Sequence, residues 1–168
     1  MPPDRRRLLE DLVRRHARAV GAVCWARTGS VVETDDLVQE TMMRACRDFG
    51  ALKELEKFGG WVRGIAENVC HEWRRSRKKL PPALGDEAGA VAAPEPAVPG
   101  DEGERVRRAL LEIPEIYRET IALFHFEKKT YSEIAGFLGL SAAAVNARLT
   151  KGRAMLRERL KGAVHDVH

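Results

Sequence analysis

The stretch Thr130–Leu160, TYSEIAGFLGLSAAAVNARLTKGRAMLRERL, constrains the fold more than any other part of the chain. Ile134, Ala135 and Leu138 put apolar groups on one face of a short helix. Gly139 is the residue type best able to take positive φ at a helix C-terminus. Leu140 reads as a buried pivot, and Ser141 as an N-cap for a second helix. Val145, Leu149, Gly152, Leu156 and Leu160 then recur at helical spacing, so one stripe packs inward. Asn146, Arg148, Thr150, Lys151, Arg153 and Arg157 occupy the other face. A short helix, a glycine turn and a longer helix with a polar, basic outer face make a helix-turn-helix, whose second helix enters a DNA major groove. A plain helical hairpin with a solvated face is the alternative these residues leave open.

The distribution of charge bounds the partners. The chain of 168 residues carries a formal charge of +4, compatible with a polyanion partner. Residues 1–79 hold 17 Lys/Arg against 12 Asp/Glu, residues 80–104 none against 6, and residues 105–168 12 against 7. Two basic blocks thus flank an acidic connector. No apolar run approaches the roughly 20 residues needed to cross a bilayer, and the arginine-rich start lacks the apolar core of a signal peptide. A cytoplasmic protein without membrane insertion is expected. Cys24, Cys46 and Cys70 are odd in number and sit at apolar helical positions, the pattern of reduced core thiols rather than of a disulfide or metal framework.

In chain order, residues 5–27 have the apolar stripe of a helix, with Leu8, Leu9, Leu12, Val13, Val20, Val23 and Cys24 inward, and Gly29-Ser30 ends it. Thr34, followed by Asp35 and Asp36, predicts the cap and acidic first turn of a helix from Asp35 to Phe49. Val38, Met42, Ala45 and Phe49 face its core, and Asp36, Gln39, Glu40, Met43 and Arg47 its outer side. An exposed methionine among acids suggests a docking surface. After a polar loop from Gly50 to Gly60 with one possible helical turn, Trp61–Lys79 reads as a single helix. Trp61, Ile65, Val69 and Trp73 lie along one side. Arg74, Arg75, Arg77, Lys78 and Lys79 make a basic end denser than a helix dipole requires, and arginines interleaved with aromatics compose a nucleic-acid surface. Residues 80–104 hold five of the eight prolines, no aromatic and no cation, the composition of a flexible linker. Helical periodicity resumes at Arg105, breaks at Pro114, and continues from Glu115 to Glu127 with Ile116, Ile121, Leu123 and Phe124 inward. The expected fold is all-α: two small helical domains, residues 5–79 and 105–163, on a linker of residues 80–104.

DDLVQETMMRAC, FGGWVRGIAENVCHEWRR and LEIPEIYRETIALFHFEKKTYSEIAGFLGLSAAAVNARLTKGRAMLRERL together resemble the extracytoplasmic-function (ECF) group of the sigma-70 family of bacterial RNA polymerase sigma factors. The likeness covers residues 8–79 and 105–160. It implies that the first domain is region 2, whose Asp35–Cys46 helix docks on the clamp of the polymerase's largest subunit through Asp36, Gln39, Glu40 and Met43. It implies that residues 50–79 recognise and melt the −10 promoter element. Asn68 matches the asparagine that contacts an unstacked base; Trp61 or Trp73 could stack, and Arg74, Arg75 and Arg77 could hold phosphate. The second domain resembles region 4, which works near the polymerase flap and reads the −35 element, here through Ser141, Asn146, Arg148, Thr150 and Lys151. The resemblance further implies double-stranded and melted promoter DNA as partners, core RNA polymerase as the assembly, and an anti-sigma factor as restraint. Glu67 stands where the family has a basic residue and Glu72 where it has aspartate. Asn146 can pair bidentately with adenine, whereas arginine prefers guanine.

Two other classes compete. A free-standing regulator would use the helix-turn-helix but leaves the acid-and-methionine helix and the basic N-terminal domain unexplained. An enzyme would need a phosphate loop, a metal-ligand cluster or a nucleophile beside a base, and the sequence offers none. Neither a cofactor, a metal nor catalytic residues are therefore expected, and His125, His165 and His168 read as structural or incidental.

Overall fold

The computed structural model describes residues 1–79 and 101–165, which contain helices and no strand. They form two compact units, each with its own core, and the all-α, two-domain expectation stands. The proposed linker lies outside the described residues except at its end: Asp101–Glu104 form the first turn of a helix, so the second domain starts earlier than Arg105.

In the first unit α1 (Pro3–Thr28), α2 (Val31–Asp48) and α3 (Phe58–Lys79) pack pairwise into a three-helix bundle. Leu9, Leu12, Val20 and Val23 of α1 meet Leu37 and Ala45 of α2 and Val62, Ala66 and Val69 of α3, all buried. The predicted inward row of α2 was one position off at its start: Leu37 and Thr41 are buried while Val38 and Met42 are half-buried. Its beginning was also misplaced. Ser30, not Thr34, caps the helix, accepting a hydrogen bond from Glu33 N at 3.3 Å. Thr34 is buried and turns its hydroxyl onto Ser30 O. Between α2 and α3 the chain makes two 3-10 turns, Phe49–Ala51 and Leu55–Lys57, and Phe58 opens α3 three residues before the predicted start. Phe58 is fully buried, with Phe49, His16 and Trp61 around it at 6.2, 5.2 and 5.7 Å between ring centroids.

Cys24 and Cys70 are buried, and their thiols hydrogen-bond across α1 and α3. That bond and then burial push the Cys24 thiol far up, so it stays protonated. Cys46, expected in the core, is exposed.

The second unit holds α4 (Asp101–Glu112), α5 (Glu115–Ile121), α6 (Tyr131–Leu138) and α7 (Ala142–His165). Pro114 breaks the chain after α4 as expected, and the buried Arg118 closes the break. Its guanidinium donates to Leu110 O at 2.8 Å and to Leu111 O and Ile113 O at 2.9 Å, collecting carbonyls that a helix end leaves unpaired. The helix predicted to run to Glu127 instead passes into a π-helical turn, Ala122–Phe126, after α5. Leu123 and Ile121 are buried there as predicted, but Ile116 is 43% exposed. α7 packs on α4, α5 and α6. It comes close to α5 at Gly152, where a Cβ would lie 3.0 Å from Ile121 Cδ1 and 3.1 Å from Tyr117 Cβ.

Candidate nucleic-acid interface

The helix-turn-helix is built as its residues dictate. Thr130 caps α6 by accepting from Glu133 N at 3.1 Å. Gly139 takes φ 67°, and its N–H, with that of Leu140 at 2.9 Å, closes on Ala135 O. Ser141 Oγ accepts from Ala144 N at 3.1 Å and starts α7. Ile134, Leu138, Val145 and Leu149 are buried between α6 and α7, which fixes the crossing, while Leu140 is only half-buried.

The outer face of α7 divides into two edges. Asn146 and Thr150 are exposed, one turn apart; the Thr150 hydroxyl donates to Asn146 O at 2.9 Å. Arg148 is half-buried and about 200° round the helix from Asn146, at the opposite edge beside Lys151. Lys151 is exposed, its ammonium 5.6 Å from the centroid of the Tyr117 ring. Arg153, expected among the outward cations, folds back: its Nε donates to His125 Nε2 at 3.2 Å, and its guanidinium stacks 5.0 Å from the Phe124 ring centroid. Burial, and then the charge of Arg153, push the His125 imidazole below its ordinary value, so it stays neutral and able to accept.

In the first unit the candidate DNA residues share α3 but not one environment. Asn68, Arg75 and Arg77 are exposed. Trp61 is half-buried against Phe58, 5.7 Å between centroids, which marks it as part of the aromatic packing. Arg74 Nη2 donates to Arg27 O at 2.6 Å and so binds the C-terminal end of α1. Trp73 is half-exposed, its Nε1 donating to Glu33 Oε2 at 2.9 Å, with the Arg77 guanidinium 4.7 Å from the ring centroid.

The two glutamates that depart from the resembled pattern are engaged within the unit. Glu67 Oε1 accepts from Arg63 at 2.6 Å and from Arg27 at 3.1 Å. Glu72 receives both Nη atoms of Arg44, at 3.0 and 2.8 Å, and Arg44 Nε reaches Glu40 at 2.7 Å. The hydrogen bond from Arg44 lowers the Glu72 carboxyl below its ordinary range and keeps it ionised. Of the expected polymerase-facing residues, Asp36 and Gln39 are exposed and Met43 is 62% exposed, while Glu40 is half-buried by its bond to Arg44. Glu33, Arg44, Arg27 and Arg63 escaped the reading of the sequence. For Glu33 a signal was there, the spacing Ser30-x-x-Glu33 of a capping box; for the three arginines there was none. Among the described residues no group of His, Cys, Asp and Glu is placed to hold a metal, and no helix is long and apolar enough to cross a membrane.

Comparison with known proteins agrees with this geometry. Residues 12–80 match the family Sigma-70 region 2, and residues 103–156 match Sigma-70, region 4. A probable RNA polymerase sigma factor, RfaY, of Xanthomonas campestris pv. campestris is 34% identical over 149 residues, 84% of this chain and 37% of that protein. The ECF RNA polymerase sigma factor SigE of Mycolicibacterium smegmatis is 29% identical, over 90% of this chain and 61% of that one. SigW of Bacillus subtilis, also an ECF sigma factor, is 28% identical, over 90% and 88% respectively. The chain thus spans less than two thirds of the length of the first two relatives. The fold is that of a sigma factor RpoE solved in complex with the anti-sigma factor NepR from Bartonella quintana, with a TM-score of 0.61 at 20% identity over 95% of this chain and 98% of that one. The chain belongs to the sigma-70 family, in its ECF group.

Proposed function

We propose that this protein is a promoter-specificity factor: it binds core RNA polymerase through α2 and directs initiation at promoters read by both of its domains. The carrying observation is that one region 2 bundle exposes Asp36, Gln39 and Met43 on α2 and Asn68, Arg75 and Arg77 on the adjoining α3. A free-standing regulator has no use for the first surface. Catalysis stays with the polymerase; the factor supplies recognition and a surface for unpaired bases. Unstacking costs a few kcal/mol per base, which a pocket and stacking side chains offset. In region 4, Asn146 and Thr150 read base edges while Lys151 and Arg148 hold the backbone. Tying two such modules in one chain raises the effective concentration of each at its element.

The cytoplasm is the compartment such a factor works in, and a protein anti-sigma factor is its proposed restraint. The solved complexes of RpoE with NepR and of CnrH with the cytosolic domain of CnrY support that restraint.

Run-off transcription with purified core polymerase tests the proposal. The protein should start transcripts at a defined promoter of its source genome. Reversing Asp36 and Glu40 to lysine should abolish them. Because Glu40 also holds Arg44, the variant Asp36→Lys/Met43→Glu, which leaves that bond intact, should do the same. Normal transcription by the second variant refutes the docking face, and the lack of any specific transcript refutes the function.

A further inference from the structure

Of the side chains α3 offers to DNA, Trp73 has its orientation set by another helix. Ser30-Val31-Val32-Glu33 has the spacing of a capping box, in which the glutamate ordinarily turns back to accept the N–H of the cap residue. Half of that box forms, with Ser30 Oγ accepting from Glu33 N at 3.3 Å. The other half is diverted. Ser30 N–H goes to Thr28 Oγ1 at 3.3 Å, and the Glu33 carboxylate reaches across to the Trp73 indole N–H at 2.9 Å. The indole is thereby fixed by its one polar atom. Its ring is half-exposed and lies under the Arg77 guanidinium, 4.7 Å from the ring centroid. A guanidinium over an indole is a planar group on an aromatic face, and a nucleobase makes the same contact.

We propose that Glu33 is a positioning residue for promoter opening: it holds the Trp73 indole as a stacking platform for one unstacked base, and Arg77 leaves the ring for a backbone phosphate as that base arrives. The inference rests on the reading of α3 as the −10 surface. It chooses Trp73 over Trp61 as the stacking residue and adds a role for Glu33, a residue on a helix otherwise concerned with the polymerase. The carboxylate is needed as an acceptor at the ring edge rather than for its charge, so glutamine should replace it and leucine should not.

The test uses the full chain assembled with core polymerase. The probes are fork-junction DNAs from a promoter identified by run-off transcription, with 2-aminopurine at one position at a time in the single-stranded non-template tail. The wild-type complex should quench the probe at one tail position, as a base stacked on indole is quenched. Trp73→Ala and Glu33→Leu should lose most of that quenching, at least about fivefold in apparent affinity for the tail, a shift within the worth of one stacked base. Glu33→Gln should retain it. Arg77→Ala should keep the quenching but lower the slope of log affinity against log salt by about one.

Equal quenching by Glu33→Leu and wild type overturns the inference. So does equal loss in Glu33→Gln and Glu33→Leu, or a loss that tracks a fall in melting temperature, since either makes the contact a helix clamp only. Asn68→Ala and Arg75→Ala keep the two levels apart. If they weaken tail binding while Trp73→Ala does not, only this inference fails; if none of the three does, the −10 reading itself fails.

Discussion

Gly152 has no side chain where α7 meets α5, and there is little room for one. A methyl group there would press on Ile121 Cδ1 at 3.0 Å and on Tyr117 Cβ at 3.1 Å. Gly152→Ala should therefore destabilise region 4 by about 1–3 kcal/mol through overpacking, although alanine is the better helix former. Leu149, fully buried one turn earlier, should cost roughly 2–5 kcal/mol as alanine. Denaturation of the full chain, followed through the region 4 transition, measures both; a stabilised Gly152→Ala would contradict the close approach. Arg118 makes the opposite kind of contribution. Replacing it by methionine leaves three carbonyls at the end of α4 without their charged donor, and each such bond is worth about 1.5–3 kcal/mol. On the DNA face, Lys151→Ala should spare stability and weaken cognate and random DNA alike. Asn146→Ala should lose roughly 1–3 kcal/mol on cognate sequence only, as a bidentate base contact would. Titration against the two DNAs separates these cases, and equal losses from Asn146→Ala would make it a bystander.

At the scale of elements, caps decide where helices begin, and an acid test follows from the first turn of α4. Glu104 in the first turn of α4 holds Arg107 at 2.7 Å and Arg108 at 2.9 Å, and the hydrogen bond from Arg107 is the chief cause that lowers its carboxyl from 4.5 to about 2. A carboxyl depressed in the folded state stabilises fully above its unfolded value. That contribution is lost as pH falls from about 4.5 towards 2, and Glu104→Gln should flatten this part of the acid limb in a pH series of melting curves. The helices themselves were legible because apolar spacing and proline or glycine breaks are written locally: α1, α3, the stop at Pro114 and the whole turn from Thr130 to Ser141 came from such signals. The start of α2 was missed although its signal is local: Ser30 and Thr34 both make good caps, and the Ser30-x-x-Glu33 spacing favours the first. The π-helical turn after Ile121 was missed for a different reason, since nothing in ALFHF announces a change of hydrogen-bond register. The outward face of α7 was readable from periodicity, with Asn146, Thr150 and Lys151 exposed, apart from Arg153, whose retreat onto His125 and Phe124 is a tertiary contact. Arg118 and Arg44 went unread because an arginine does not declare which carbonyls or carboxylates it will find.

For the whole molecule, two basic units joined by residues 80–100 should bind promoter DNA with a steep salt dependence, since the proposed phosphate contacts come from both. Fewer counterions should be released when either unit binds alone, and affinity measured from low to moderate salt gives the slope. The composition of the connector makes a second prediction. Trypsin finds no site in residues 80–104, but a glutamyl endopeptidase meets Glu87 and Glu95, and a proline- and alanine-rich stretch without aromatics offers little to protect them. The earliest cuts should fall there and leave two resistant helical fragments. First cuts within α3 would argue against two independent units.

α7 is one uninterrupted rod of 24 residues, about 36 Å long at 1.5 Å per residue. Its opening turns carry Asn146 and Thr150, while near its far end Arg159 pairs with Glu112 at 3.5 Å and Leu160 O accepts from Arg105 at 3.4 Å. α4 therefore holds the end of α7 opposite the turns proposed to read base edges. A tilt of about 10° at that end, about 20 Å from Asn146, would swing the opening turn by about 3 Å, close to the 3.4 Å between successive nucleotides of a strand. α4 is also where the chain enters the second unit, at Asp101. With base reading placed on α7 as proposed, a shift of α4 would reach that reading turn as a change of alignment.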